Sequence, residues 1–337
     1  MKQLLTHGTS VRMASLFFSC LIFYACSKEN DELQPGGDNP PGQEETRTPL
    51  PFSQLPERTR TLNVPENRTY VNVMEKQRPQ LPGFKSLAVK PGTLRGFVKD
   101  VFGRPLKDAE IGVRSSIAGG LYSSATGRTN QQGYYEITVP VGNTEIWGGK
   151  LNMSYEGGQA FTSLFPADSA LDEFVSTRGS VKNFVLLPYG NGRPDEIAKA
   201  PQWPTSYMGG SIHLSYNLRT ESLPLPGSFP VGSVIVIKLT PLDLVHADEK
   251  VTFIIKKPVL NNQLYINNIP LGRYEIMLET SDGKPITMHE SINLKDLFGI
   301  RPKHALHKAE VTFIPGDPES LVWFGNWKEV PLNIELN

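Results

Sequence analysis

The stretch LRGFVKDVFGRPLKDAEIGVRS, residues 94–115, decides the fold. Apolar and polar residues alternate on both sides of a turn signal, Gly103-Arg104-Pro105. A period of two is typical of strands with one buried face, and glycine and proline favour a chain reversal. The stretch therefore predicts a strand, a turn and a second strand, as a β-hairpin or as the edge of a β-sandwich.

The same pattern returns along the rest of the chain. Residues 127–146, GRTNQQGYYEITVPVGNTEI, place a turn signal before an alternating run that ends at Pro140. Three runs in the second half have strand length and many β-branched residues: VGSVIVIKL (231–239), KVTFIIKK (250–257) and AEVTFI (309–314). VPLNIEL (330–336) is a plausible last strand. Since no long stretch shows a sustained helical period, the sequence predicts an all-β protein.

Composition limits the class of protein. A chain of 337 residues has room for about two ordinary domains. Its 34 basic and 34 acidic residues cancel, so no overall field attracts nucleic acid. The 30 glycines and 28 prolines fit a turn-rich β protein and remain below the composition of a disordered polymer.

The first 25 residues have the character of a targeting segment. A basic start with Lys2 and Arg12 precedes a short apolar run at residues 14–25. This run is too short to cross a bilayer core of about 30 Å as a stable helix. It ends at Cys26, and the pattern resembles a bacterial lipoprotein signal with the relaxed lipobox of Bacteroidota. Because Cys20 lies in the segment to be removed, Cys26 would be the one cysteine of the mature chain.

The resemblance to a lipoprotein signal has consequences for location. It implies that Cys26 is lipidated and that acyl chains hold the protein to a membrane. The acidic residues Glu29, Asp31 and Glu32 close behind the cysteine imply an outer-membrane protein exposed at the cell surface. Retention on the periplasmic face is the alternative, since charge runs also occur in ordinary solvated linkers.

A second resemblance concerns residues 93–188. Two paired motifs carry it: Gly96, Val98, Asp100, Gly103, Pro105, Leu106, Ala109, Ile111 and Val113, followed by Thr129, Gly133, Tyr135, Ile137, Val139, Pro140 and Gly142. These motifs are similar to those of the carboxypeptidase regulatory-like domain, a transthyretin-like β-sandwich. The resemblance implies a structural appendage without catalytic residues of its own.

These observations predict two tandem β-sandwiches, transthyretin-like or immunoglobulin-like, behind a signal peptide and a disordered tether. The run Ile269-Pro270-Leu271-Gly272 echoes Val139-Pro140-Val141-Gly142, which suggests a related second sandwich. The predicted boundaries are 1–25 for the signal peptide, 26–90 for the Pro/Gly-rich tether, 91–188 for the regulatory-like sandwich, 189–204 for a linker and 205–337 for the second sandwich.

One motif offers catalytic chemistry. His246 and Glu249 have the His-x-x-Glu spacing of some zinc sites, with His289, His304 and His307 downstream as third ligands. The region after residue 204 is too rich in strands to supply the α/β catalytic domain of a zinc carboxypeptidase. A solvated loop is the simpler interpretation, so we predict no catalytic residues, no metal site and no cofactor.

Aromatic residues outside obvious strands are the candidate ligand contacts. The least strand-like of these rings are Trp203, Trp323 and Trp327. The alternative is that the core of a sandwich buries them. Asp168-Ser169-Ala170 resembles a three-residue O-glycosylation signal of the same phylum, which makes Ser169 a candidate modification site.

Three functions remain open on the sequence. The first is a lipid-anchored envelope protein whose sandwiches are non-catalytic binding or assembly modules for a glycan or an envelope protein. The second is an accessory lipoprotein of an outer-membrane nutrient transporter. The third is a metal-dependent hydrolase within residues 205–337, which the missing catalytic set disfavours.

Overall fold

Strands dominate the computed structural model, which describes residues 46–117, 119–219, 225–292, 294, 297–317 and 325–337. The prediction of an all-β protein is confirmed. The helices are α1 (Pro194–Lys199) and two 3₁₀ turns (Phe52–Gln54 and Pro204–Ser206). None of the helices in the described ranges has the length and apolar character that a membrane crossing requires.

The first half of the fold is a pair of sheets around one core. Its strands are β3 (Thr93–Asp100), β4 (Glu110–Ile117), β5 (Leu121–Arg128), β6 (Tyr134–Thr138), β7 (Asn143–Tyr155), β8 (Gly158–Ser163), β9 (Phe165–Pro166), β10 (Phe174–Val175), β11 (Ser180–Val181) and β12 (Phe184–Leu186). One sheet has the order β10-β7-β4-β5 with β8 on β7, and the other has the order β11-β3-β12-β9 with β6 on β3. Alternate residues of both sheets, such as Val98 and Ile111, meet in the core.

The opening stretch of sequence forms β3, a turn and β4, as the alternation predicts. The two strands do not form a hairpin, because β3 and β4 belong to different sheets. The turn between them crosses from one sheet to the other, and Gly103 supplies the positive φ of 84° that it needs.

The second half is built in the same way with longer strands. These are β13 (Gly210–Ser215), β14 (Leu218–Arg219), β15 (Phe229–Pro230), β16 (Val234–Leu244), β17 (Lys250–Pro258), β18 (Gln263–Ile269), β19 (Gly272–Thr280), β20 (Ile286–Glu290), β21 (Gly299–Arg301), β22 (His304–Leu306), β23 (Lys308–Thr312), β24 (Ile314–Pro315) and β25 (Trp327–Leu336). The apolar residues of β16, β17 and β19 face those of β13, β18 and β25 across a large core.

Two strands from the N-terminal region complete these sheets. Strand β1 (Glu57–Asn63) pairs in parallel with β17, and β2 (Tyr70–Asn72) pairs in parallel with β18. The sheet orders are β1-β17-β16-β19-β23-β21 and β2-β18-β13-β25-β20-β22, with β24 on β25. Residues 26–90 were expected to form a disordered tether. In the described part of that range, residues 57–63 and 70–72 are instead strands paired with the second half. Residues 57–63 and 70–72 gain an ordered place because they satisfy main-chain groups at two sheet edges that would otherwise be open.

The two halves are tied together at several points. Tyr155, at the end of β7, lies in the core of the second half, where its hydroxyl donates to the carbonyl of Gly272 at 3.0 Å. The expected linker at 189–204 contains α1, and Asn268 accepts a hydrogen bond from the main chain of Gly190. All described residues belong to one compact unit. The division into two tandem domains remains a prediction.

Candidate functional site

The outer side of the sheet β2-β18-β13-β25-β20-β22 carries an unusual set of side chains. In β13, Ile212 and Leu214 point into the core, so His213 and Ser215 point outward. The same alternation turns Tyr265 of β18 outward. Nine outward residues define what we call the ring-and-amide face: Tyr70, His213, Ser215, Gln263, Tyr265, His289, His304, Pro331 and Asn333.

The strand register arranges these residues in two rows. Tyr265 lies opposite both Tyr70 and His213, and His213 lies opposite Pro331. The second row runs along the neighbouring positions in the order Gln263, Ser215, Asn333, His289 and His304. One row is therefore mainly cyclic side chains, and the other is mainly hydrogen-bonding groups.

Two rings of the first row, His213 and Tyr265, stack on each other. The His213 and Tyr265 rings are parallel within 1°, with centroids 4.1 Å apart. The Arg68 guanidinium lies 5.4 Å from the centroid of the Tyr70 ring. His213 and Tyr265 stack face to face. The two rings therefore cover each other's flat faces and turn their edges and polar atoms toward the surroundings.

Two imidazole nitrogens of the face, one in each row, have no hydrogen-bond partner within the described part of the chain. The His289 and His304 rings lie 5.9 Å apart between centroids, and the Asn333 amide nitrogen lies 3.4 Å from Nε2 of His289. The two nitrogens without a partner in the described chain are Nδ1 of His289 and Nε2 of His213, which are both buried. Buried polar atoms without partners are costly, and because both nitrogens lie beneath the surface, a ligand would reach them only after a change of side-chain position.

His213 and Tyr265, the two stacked residues of the first row, are mainly uncharged at neutral pH. Burial lowers the pKa of His213, against smaller opposing effects of the Glu329 charge and of a hydrogen bond to Gln263. Burial, with a further contribution from Glu329, raises the pKa of Tyr265. His213 is thus mainly neutral and Tyr265 keeps its proton, so both can exchange hydrogen bonds with a neutral ligand.

Trp203 borders this face on the loop before β13. Asn267 follows Tyr265 by two positions on β18, and its amide donates to the carbonyl of Gln202 at 3.0 Å. The Tyr207 hydroxyl donates to the carbonyl of Pro201 at 2.7 Å. These bonds fix the loop, while the Trp203 side chain stays 56% exposed. Of the two predicted tryptophans within the described ranges, Trp203 is the exposed one.

Trp327 has a different environment. It is only 2% exposed and meets the Tyr155 ring edge-on, with 5.2 Å between centroids. The expectation that Trp327 contacts a ligand is thereby corrected, because a large ring at the start of a central strand contributes most when it is buried. The predictions for Trp323 and for the lipidation of Cys26 lie outside the described residues.

Ser169 is exposed in the loop between β9 and β10. Its φ of 60° places it in a turn, and Arg78 donates to its hydroxyl oxygen at 3.0 Å. The neighbouring Asp168 forms a 2.5 Å ion pair with Lys182, a residue that is otherwise buried. The hydroxyl is therefore accessible on a well-anchored loop, and its modification remains a prediction.

The His-x-x-Glu motif is divided between two unrelated contacts. Nδ1 of His246 lies 3.3 Å from Oδ2 of Asp100, and Arg104 reaches the same carboxylate at 2.6 Å. Glu249 instead pairs with Arg58 at 3.0 Å. Within the described ranges, no three His, Cys, Asp or Glu side chains form a group that could hold a metal ion.

Asp100, Arg104 and His246 form a polar cluster between the two halves, in which Asp100 is buried and the other two side chains are partly exposed. Burial acts to raise the pKa of Asp100, but hydrogen bonds from His246 and Arg104 outweigh it, so the pKa of this carboxyl is lowered. A cavity of about 130 Å³ adjoins the cluster and is lined by Phe52, Phe102 and Leu244 among others. No serine, threonine or cysteine is among its described lining residues, so the acid–base pair has no nucleophile to activate there.

A larger cavity, of about 290 Å³, lies on the outer side of the six-stranded sheet. It is an open groove around Phe52, Thr59 and Thr252, and the Lys250–Glu57 ion pair of 2.7 Å belongs to its lining. This groove carries no cluster of unpaired polar atoms, in contrast to the ring-and-amide face.

Comparison with known proteins gives little further information. No family model and no curated protein matches the chain. Among solved structures, a streptococcal ancillary pilin is 9% identical over 72% of this chain and 68% of its own, with a TM-score of 0.22. A leucine-rich repeat protein from Bacteroides thetaiotaomicron is 12% identical over 73% of this chain and 26% of its own, with a TM-score of 0.19. At these TM-scores neither similarity supports a conclusion about function.

Proposed function

We propose that this chain is a lipid-anchored envelope protein that binds a neutral glycan without chemical conversion. The single observation that carries the proposal is the ring-and-amide face. Rings, amides, imidazoles and hydroxyls converge there on one rigid sheet, with an exposed tryptophan at its border. Sites of this composition combine apolar contact with a few fixed polar groups, which is the usual pattern of small-ligand recognition.

The chemistry of the face matches a sugar better than it matches a charged ligand. Sugar hydroxyls both donate and accept hydrogen bonds, as do neutral imidazoles, carboxamides and tyrosine hydroxyls. Nδ1 of His289 and Nε2 of His213 lack partners in the described chain. The exposed ring of Trp203 offers the flat apolar surface that the C–H face of a sugar needs.

The cellular location is part of the same proposal and is supported by the sequence. The signal pattern that ends at Cys26 supports an acyl anchor, and the acidic residues behind it support the outer face of the outer membrane. Replacing Cys26 by alanine should move the protein from the membrane fraction to the soluble fraction. Continued membrane retention of the variant would contradict the anchor. The regulatory-like assignment of residues 91–188 and the absence of catalysis are likewise proposals.

The binding proposal is tested with the chain from residue 35 onward, which lacks Cys26 and contains all described residues. Glycan-array screening should identify a neutral oligosaccharide, and calorimetry should then measure its affinity. Trp203→Ala and Asn333→Ala should each weaken that affinity about tenfold, the effect of losing one good contact of about 1.4 kcal/mol.

Val175→Ala is the matched control, because Val175 is 47% exposed and lies on β10, in a sheet of the first half that does not carry the face. Its affinity for the glycan should equal that of the unmodified chain. Binding that survives both Trp203→Ala and Asn333→Ala would place the site elsewhere, and an array without any neutral ligand would overturn the proposal.

A further inference from the structure

Strand β5 is an outer strand with one free side. It pairs with β4 along its whole length, from Leu121 opposite Ile117 to Arg128 opposite Glu110. Within the described residues, no main-chain hydrogen bond reaches β5 from its other side. Near its C-terminal end Ile137 of β6 approaches Gly127. The free stretch is therefore the first half of the strand, and its first four residues are all exposed.

This edge lacks the usual protection against pairing. Its sequence, LYSSATGR, contains no proline and a single charge at the last position, and its register with β4 is continuous. Outer strands normally carry charges, prolines or bulges that prevent association. Strand β1 illustrates such protection, because Glu57, Arg58 and Arg60 lie on the edge of the six-stranded sheet.

Exposed apolar side chains gather around the start of β5. Leu121 and Tyr122 are 64% and 61% exposed, and Val141 is 77% exposed. The Val141–Gly142 turn abuts the end of β4, since a side chain at Gly142 would meet Ile117 at 3.3 Å. Patches of this kind on a soluble protein typically mark an interaction site.

Tyr122 is held in place on the outer side of its sheet. The Arg114 guanidinium lies 4.5 Å from the Tyr122 ring centroid and 4.7 Å from that of Trp147. Glu145 fixes Arg114 with a 2.8 Å hydrogen bond. A side chain ordered in advance loses less entropy on association, so Tyr122 is suited to contact a partner.

We propose that β5 is the surface through which two copies of this chain pair, edge to edge, in a two-fold symmetric dimer. The inference does not depend on the glycan proposal. Antiparallel pairing about a two-fold axis puts residues of the same face opposite each other, so the axis passes through Ser123 or Ser124. The pairing would join two five-stranded sheets into one continuous sheet.

The strand is complementary to itself in either register. With the axis at Ser123, Tyr122 faces Ser124 and Leu121 faces Ala125 of the second copy. With the axis at Ser124, Tyr122 faces Thr126 of the second copy and Leu121 faces Gly127, which Ile137 of β6 approaches, so the free stretch favours the axis at Ser123. Large side chains then oppose small ones, and no like charges meet, which is the condition for a stable cross-strand pair. This self-complementarity favours a second copy over an unrelated strand as the partner.

Disulfide trapping tests the geometry directly. Both cysteines of the chain, Cys20 and Cys26, precede residue 35, so the chain from residue 35 onward has no thiol of its own. A cysteine at the axis meets its own symmetry mate at about 4.5–5.5 Å between Cβ atoms, close to what a disulfide needs. Ser123→Cys or Ser124→Cys should give a covalent dimer under mild oxidation. Thr61→Cys, an exposed position on the protected edge strand β1, should remain monomeric.

Sedimentation measures the association without a cross-link. The unmodified chain should be dimeric at about 100 µM, where an interface of micromolar affinity is filled. Ser124→Lys places like charges across the axis and should raise the dimer dissociation constant at least about tenfold. Because Ser124 is exposed, the melting temperature of the variant should not change.

Three results would overturn the inference. These are a monomer at 100 µM, a dimer that Ser124→Lys leaves intact, and cross-linking of Thr61→Cys that equals that of both serine variants. A short added peptide is the fourth arm of the test. If it suppresses the dimer while Ser124→Lys leaves the dimer dissociation constant unchanged, the edge binds a foreign strand and the symmetric dimer is rejected.

Discussion

The ammonium group of Lys257 holds the N-terminal segment to the second half of the fold. Lys257 has no exposed surface, and its Nζ donates to the carbonyls of Glu66 and Arg68 at 2.7 Å each and to that of Pro65 at 3.3 Å. These three carbonyls lie in the loop between β1 and β2, which belong to opposite sheets. Replacement of Lys257 by methionine should therefore loosen both strands together.

The magnitude follows from these contacts. A hydrogen bond from a charged donor contributes about 1.5–3 kcal/mol, so the two short bonds are worth about 3–6 kcal/mol. Methionine fills similar space and avoids the cost of burying a charge, which offsets part of this loss. We expect Lys257→Met to lower the free energy of unfolding by about 2–4 kcal/mol, a large part of the 5–15 kcal/mol that is ordinary for a domain.

Two measurements check this expectation. Urea unfolding at pH 7 gives the free energy, and amide hydrogen exchange should show faster exchange in Glu57–Asn63 and Tyr70–Asn72. Lys256→Met is the matched control, because the Lys256 side chain is exposed on the same strand and should change stability by less than about 0.5 kcal/mol. If both variants unfold alike and the exchange of β1 and β2 is unchanged, Lys257 does not hold this segment.

Three further predictions concern acid stability, the tryptophans and a close backbone contact. Since the pKa of Asp100 is lowered in the folded state, its contribution to stability is present above about pH 4 and is lost as the pH falls through the folded pKa. The difference in unfolding free energy between the unmodified chain and Asp100→Asn should shrink from pH 5 to pH 3, and a constant difference would contradict the ion cluster. Trp327→Ala should cost about 3–5 kcal/mol in urea unfolding, whereas Trp203→Ala should cost less than about 0.5 kcal/mol; equal costs would show that their burial is misassigned. Gly96→Ala should lower the free energy of unfolding by about 3 kcal/mol and the melting temperature with it, because the new Cβ would overlap the carbonyl oxygen of Lys182. An unchanged melting temperature would contradict this close contact.

The strands that the sequence predicted well are those with a clear two-residue period. Tyr135, Ile137 and Val139 alternate with polar residues, and all three are buried in the core of the first half. The Asn130 turn signal also has a visible cause, because its side-chain oxygen accepts from the main chain of Gln132 at 2.9 Å. Local pattern and local turn chemistry suffice in such segments.

The ring-and-amide face was harder to predict because it depends on register between distant strands. His213, Tyr265 and Asn333 occupy outward positions of three separate strands, and each by itself is an ordinary polar residue of a half-buried strand. A signal was present in the alternation, since the outward positions of SIHLSY (211–216) and QLYINN (263–268) hold rings and amides where simple charges are common. Which outward residues become neighbours is fixed only by the sheet order.

Strand β1 was not predicted from the sequence, and the reason is physical. The position of this strand also determines where the second half of the fold begins. The sequence ERTRTLN is polar because an outer strand faces solvent on several sides, and its partner Lys250–Pro258 lies far along the chain. Yet Val64, Val73 and Met74, which follow β1 and β2, are part of the same core as β16 and β19. A fragment limited to residues 205–337 would lose these three side chains and would expose the edges of β17 and β18. The second half is therefore complete only with the N-terminal segment. An anchor at Cys26 would meet the fold no later than Arg47, whose main chain donates to the carbonyl of Phe102 at 2.7 Å, well before the end of the predicted tether at residue 90.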